Sequence, residues 1–249
     1  MKTIQIITLF PDLFIPFINT SIVKNAISKG KVAIRVINLR DFGVGKHRQV
    51  DDYQVGGGAG MVLKVDVVVN AIRFALESVP DSKTILLTPQ GQLLKQKTAF
   101  DLANAKSSLI LICGHYEGFD ERIRDYVDLE LSIGDYILSA GEIASMVISD
   151  AIIRLIPGVI QEESHLNDSF TNNYLDYPVF TKPLEFENKI VPEILLTGHH
   201  KNIDDWRQKQ AFYKTYLRRK DLIKIKTLTK EEKQFLLEIK KEKKNKKGK

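Results

Sequence analysis

The chain has 249 residues, 43% of them hydrophobic, with 37 lysines and arginines against 31 aspartates and glutamates. That length and apolar content are enough for a sizeable core in one large domain or two, and the longest apolar runs, such as that around Val67–Val69, fall far short of a membrane span. One cysteine, Cys113, excludes an intramolecular disulfide and a cysteine-built zinc site, and a soluble cytoplasmic protein with no membrane partner is the default expectation.

The net charge of +6 is unevenly spread. Residues 218–249 carry 14 basic and 5 acidic groups, which leaves 23 basic and 26 acidic groups in residues 1–217. A basic tail on a mildly acidic body suggests attraction to a polyanion such as nucleic acid or an anionic membrane surface. A solvated lysine tail without a specific partner is the alternative for residues 240–249.

In chain order, residues 1–14 (MKTIQIITLFPDLF) lack the long apolar stretch and small-residue cleavage site of a signal peptide, and KTIQIIT (2–8) reads as a first strand. A helix is expected over 13–30 with Gly30 as its stop, then a strand over 32–39. The polar, glycine-rich stretch 40–61 reads as a long loop, functional or mobile. A helix over 65–79, a strand over 84–88, a helix over 93–105, a strand over 108–113 and a helix over 142–156 follow, the last ended by Pro157-Gly158. Strands spaced by helices of this length predict an α/β domain over 1–157, with a mostly parallel sheet covered on both faces. Residues 158–173 have little apolar content and read as a flexible linker. A small helical domain is expected over 174–249. In it Asn202 and Asp205 suggest a helix cap, Trp206, Gln210, Tyr213 and Leu217 share one face, and a last helix covers 230–244.

Two glycine-built loops stand out, ICGHYEG (112–118) and SIGDYILSAGE (132–142), each after a short apolar run. Loops at strand ends are where open α/β sheets bind ligands. Gly114, Gly118, Gly134 and Gly141 free the backbone to present its polar groups, and Glu117 sits between glycines where an acid is not needed for solubility. Turn and packing roles for Glu117, Tyr116 and Tyr136 stay open at this level. GGGAG (56–60) is not a Walker loop, because Met61-Val62-Leu63 follows it rather than Gly-Lys-Ser/Thr. Arg154, four residues after Asp150, is either an ion-pair partner or a cation at a site. Asp168 lies in the linker, and His199-His200 lack the spacing of a metal site and read as a turn or helix cap.

CGHYEGFDER, SIGDYILSAGE, DAIIRLIPGV, NDSF and GHH…WR, with TLFPDLF and DDYQVGGGAGM, closely resemble the bacterial tRNA (guanine-N1)-methyltransferases, the TrmD family of the SPOUT class. The resemblance runs in order from about residue 4 to residue 222. It implies a SPOUT-type parallel sheet with a deep trefoil knot and S-adenosylmethionine as methyl donor. The implied acceptor is N1 of the guanosine at tRNA position 37, just 3′ of the anticodon, and the implied assembly is a homodimer whose active site uses both chains. Carried over residue by residue, the cofactor-binding groups are Leu87, Gly114, Tyr116, Ile133, Gly134, Asp135, Tyr136, Ile137, Leu138 and Gly141. The catalytic residues are Asp168 as general base for the N1 proton, Arg154 stabilising the guanine carbonyl oxygen, and Glu117, an acid tied to a magnesium requirement whose ligands the resemblance leaves undefined.

The chain departs from the family pattern at His115, where arginine is usual, and at Ala140-Gly141, where two glycines are usual. Ala59 and Ala144 replace prolines, and Val179 replaces a histidine. A SPOUT enzyme with another target base and a catalytically weak RNA-binding relative are the alternative readings.

Overall fold

The computed structural model describes residues 1–161 and 168–247, apart from the side chains of 227, 240 and 242–247. The linker segment 162–167 and the last two residues of the basic tail lie outside the described residues. The chain divides into two compact units, Met1–Glu162 and Glu163–Lys249.

The first unit is built on five strands: β1 (Lys2–Thr8), β2 (Val32–Asn38), β5 (Ser82–Leu93), β6 (Ser108–Ile112) and β7 (Leu129–Ser132). Their order across the sheet is β2-β1-β6-β5-β7, with every neighbouring pair parallel. A parallel sheet needs cover on both faces, and the alternation along each strand supplies it. Ile4, Ile6, Leu109 and Leu111 enter one apolar layer, while Ile7, Ile110 and Ile112 enter the other. The first layer is closed by α1 (Phe14–Ile18), α2 (Ser21–Ser28), α4 (Gln96–Asn104) and α5 (Gly141–Ile153), and the second by α3 (Val65–Ser78).

Several expected elements differ in detail. The helix over 13–30 is two helices, because Asn19 Nδ2 and Thr20 Oγ1 donate to the Ile15 and Pro16 carbonyls and end the first turns. Gly30 does act as the stop: it sits at φ +64°, and Lys31 N–H reaches back to Ala26 O at 3.0 Å. The strand expected to stop at Thr88 continues to Leu93. Leu87 and Gln92 both align with Leu131, so residues 88–91 loop out of the ladder as an insertion. Pro89 and Gly91 fall inside that insertion, where neither interrupts pairing. The long glycine loop contains a hairpin of β3 (Asp51–Tyr53) and β4 (Met61–Leu63). Residues 158–161 pack with this unit, Val159 being buried in its first apolar layer.

Among its described residues the second unit holds a short hairpin, β8 (Glu185–Phe186) with β9 (Lys189–Ile190), and two α-helices, α6 (His200–Arg218) and α7 (Lys230–Lys247). Phe212, Leu228, Leu236 and Ile239 form its core, with the Tyr174 ring edge-on to Phe212 at 5.7 Å. The helix cap expected at Asn202 is displaced: α6 begins at His200 with His199 as its cap residue, and the first turn closes by Ile203 N–H to His199 O. The buried face carries Ile203, Phe212 and Thr215, and Leu217 is exposed. The real capping box is at the start of α7, where Thr229 Oγ1 accepts from Glu232 N–H and Glu232 Oε2 accepts from Thr229 N–H at 2.7 Å. Among the described residues no helix is long and apolar enough to cross a membrane.

Candidate functional site

The two loops singled out in the sequence converge at the carboxyl ends of β5, β6 and β7. They enclose a cavity of about 410 Å³, within the range of small-ligand sites. Leu87, Gly114, Tyr116, Ile133, Gly134, Tyr136, Ile137, Leu138 and Gly141 line it; Asp135 does not, and its side chain is exposed beside it. Thr88, Pro89, Phe119, Ser132 and Ala144 also line the cavity. Thr88 and Pro89 come from the β5 insertion, whose sequence signal, a proline and a glycine after an apolar run, reads as the end of a strand.

The loops are held to one another by backbone. Gly141 N–H donates to Gly114 O at 2.8 Å, and a β-carbon on Gly141 would lie 2.6 Å from Gly114 N. Only glycine permits that approach. Ser132 Oγ donates to Gly134 O and accepts from Gly134 N–H, which shapes the second loop. Tyr116 adopts φ +57°, a left-handed conformation unusual for a side chain of its size and typical of residues held by a functional site. The wall formed by the β5 insertion is pinned from outside by Arg124, which contacts Gln90 and Glu130 and pairs with Glu121 at 2.8 Å.

Glu117 faces the cavity beneath the glycine hairpin. Its N–H donates to Met61 O at 3.0 Å, and a β-carbon on Gly60 would collide with its side chain at 2.5 Å. Among the described residues no group of three or more His, Cys, Asp or Glu converges on a metal position. The His115 ring lies 5.1 Å from Phe10 and 4.6 Å edge-on from Tyr116, so it is held as an aromatic group. Ala140 is extended at φ −161°, a backbone any residue adopts, so this alanine costs the loop nothing.

Arg154 and Asp168 do not line this cavity. Arg154 caps the C-terminal end of α5, whereas Gly141 and Ala144 at its start reach the cavity. At 1.5 Å per residue, the 13-residue helix separates Arg154 from Gly141 by roughly 20 Å. Asp168 belongs to the second unit, half-buried in a turn closed by Thr171 N–H to its carbonyl at 3.2 Å. Next to it Ser169 Oγ donates to Asp176 Oδ1, which also accepts from Lys214 Nζ at 2.9 Å. The lysine, with Ser169, holds the Asp176 carboxyl below its ordinary range.

These features define a class: a parallel α/β protein with a nucleoside-sized cavity built from glycine-rich loops at the strand ends, followed by a small second unit with basic helices. Residues 1–225 match the family model described as tRNA (Guanine-1)-methyltransferase TrmD. A tRNA (guanine-N(1)-)-methyltransferase of Spiroplasma kunkelii is 54% identical over 98% of this chain and 90% of its own length. Proteins of the same description from Carboxydothermus hydrogenoformans and Bacillus cereus are 52% and 47% identical, covering 94% and 96% of this chain and 92% and 99% of their own lengths. The chain belongs to the tRNA (guanine-1)-methyltransferase family.

Proposed function

We propose that the chain methylates N1 of the guanosine at position 37 of tRNA, with S-adenosylmethionine as donor. The observation that carries this reading is the cavity itself, on which the two family-type loops converge in a chain matched over residues 1–225. The residues present fit the donor. Glycine brings backbone polar groups within reach at Gly114, Gly134 and Gly141, and Tyr116, Ile133, Tyr136, Ile137, Leu138 and Leu87 give apolar cover; Asp135 stands at the rim. When bound, the donor supplies a methyl group already activated on a sulfonium.

The chain's own groups supply the acceptor chemistry. Guanine N1 carries a proton, and Asp168 is the carboxylate assigned to take it, a role worth roughly 10²–10⁴-fold in rate. As that proton leaves, negative charge grows on the guanine carbonyl oxygen, and Arg154 is the cation assigned to stabilise it. Glu117 is the carboxylate offered to magnesium, an ion that commonly binds through one protein carboxylate with water and substrate oxygens completing its shell.

The homodimer that the family resemblance implies, with the cavity from one copy and acceptor-side groups from the other, is compatible with Arg154 standing roughly 20 Å from Gly141 on one helix. The exposed apolar face of α5, with Ile143 52% and Val147 44% accessible, is a surface for that second copy. The trefoil knot belongs to the same proposal. The basic residues of 218–249 supply phosphate contacts that draw in tRNA.

Two transcripts differing only by guanosine or adenosine at position 37, incubated with labelled S-adenosylmethionine, test the reading. Label is expected in the guanosine transcript alone, and equal labelling of both, or of neither, overturns it. Asp168→Asn is expected to bind the donor normally while methyl transfer falls at least about a hundredfold. Retained transfer would remove Asp168 from the base role.

A further inference from the structure

Beneath the two cavity loops lies a buried polar contact that neither loop contains in full. Glu142, in the first turn of α5, is 1% exposed, and Thr8, at the end of β1, is 0% exposed. The Thr8 hydroxyl donates to Glu142 Oε1 at 2.6 Å and accepts from Phe10 N–H at 2.9 Å. From this pair two short paths lead to the cavity. Along one, the Phe10 ring stands 5.1 Å from the His115 ring of the first loop. Along the other, Glu142 adjoins Gly141 of the second loop, whose N–H donates to Gly114 O.

A carboxyl in this position is costly for the fold alone. Its Oε2 has no hydrogen-bond partner among the described residues. Burial, with the charge of Glu142 adding to it, pushes the neighbouring Cys113 thiol well above its ordinary range. What the carboxyl adds is a short, directional bond between β1 and the start of α5, next to the Gly141 backbone that donates to Gly114 O.

We propose that Thr8 and Glu142 form a clasp that sets the spacing of the two cavity loops, and that both are positioning residues for the methyl donor. This inference rests on the reading of the cavity as the donor site. Neither side chain lines the cavity, so the clasp acts through backbone. Loosening it displaces the groups that hold the donor and leaves Asp168 and Arg154 as they are. The effect therefore falls on donor affinity and KM, with kcat preserved.

The test uses the full-length protein and two pairs of variants: Thr8→Val, which keeps shape and removes the hydroxyl, against Thr8→Ser, which keeps it; and Glu142→Leu against Glu142→Gln, which keeps the Oε1 acceptor. Each is checked for folding by its thermal melt without donor, and either folded pair suffices. Donor affinity is read by calorimetry with S-adenosylmethionine, and KM and kcat by methyl transfer to tRNA. Thr8→Val and Glu142→Leu are each expected to weaken donor binding roughly tenfold, the size of one buried hydrogen bond, with kcat within about threefold of wild type. Thr8→Ser and Glu142→Gln are expected to restore wild-type affinity, and the Thr8→Val, Glu142→Leu double variant to lose no more than either single variant. Unchanged affinity in Thr8→Val or Glu142→Leu, losses that multiply in the double variant, or a fall in kcat at constant KM overturns the clasp alone. A wild-type chain that binds no donor overturns the donor site and the clasp together.

Discussion

A β-carbon at Gly141 would stand 2.6 Å from Gly114 N and 2.9 Å from Cys113 Cα, both atoms of the backbone it packs against. The neighbour is main chain at a strand end, so it cannot swing aside as a side chain would. Gly141→Ala is expected to separate the loops and weaken S-adenosylmethionine binding by roughly a hundredfold, the scale of a 1 Å misplacement in a preorganised site. Ala140→Gly, at an extended backbone, is expected to bind within about twofold of wild type. Equilibrium dialysis with labelled donor compares the two, and equal effects would dissolve the distinction. The sequence presents Ala140-Gly141 as one lost glycine of a pair. Which of the two positions needs glycine depends on a contact with Gly114, 27 residues away, and no local pattern carries that. The same holds for His115, where a change of residue type is plain in the sequence but the Phe10 ring that receives it is not.

Elements were legible where a local rule decides them. Gly30 stops α2 because the chain must enter a left-handed turn there, and the alternation in β1 and β6 follows from a sheet covered on both faces. Elements were misread where a distant partner decides. The insertion at 88–91 is defined by pairing with β7, which lies more than 35 residues further along the chain. The turn carrying Asp168 is also held from a distance, through Ser169, Asp176 and Lys214 of α6. Asp176 titrates below its ordinary range of about 3.8, chiefly because Lys214 bonds its charged form. A depressed folded value means the stabilisation is present in full above the unfolded value and is lost as pH falls through the folded one. Acidification below about pH 4 is therefore expected to loosen this turn, with a small amplitude because both side chains are partly exposed and screened. Trp206, the only tryptophan, lies in α6 and reports on this unit. Asp176→Asn should flatten the acid limb of its fluorescence-monitored stability, whereas an unchanged limb would assign acid sensitivity to other pairs, such as Glu238–Lys209.

At the scale of the whole molecule the question is how many chains one active site needs. The cavity belongs to one unit, Arg154 sits at the far end of α5 from it, and Asp168 belongs to the other unit. If one site draws its cavity from one copy and Asp168 from another, two inactive variants can complement each other. Gly141→Val has a blocked cavity and an intact Asp168; Asp168→Asn has the reverse. Each homodimer is inactive, but a mixed dimer assembles one complete site from the two intact halves. Random exchange makes half the dimers mixed, each with one working site of two, so about a quarter of wild-type methyl transfer is expected after subunits are unfolded together and refolded. The same mixture without exchange gives none. A site contained within one chain predicts no recovery under either condition, because every chain then carries a defect in its own site. Adding Ile143→Asp and Val147→Asp to both variants should prevent recovery by breaking the dimer at the exposed face of α5. Recovery that survives those changes would keep the shared site and move the interface elsewhere.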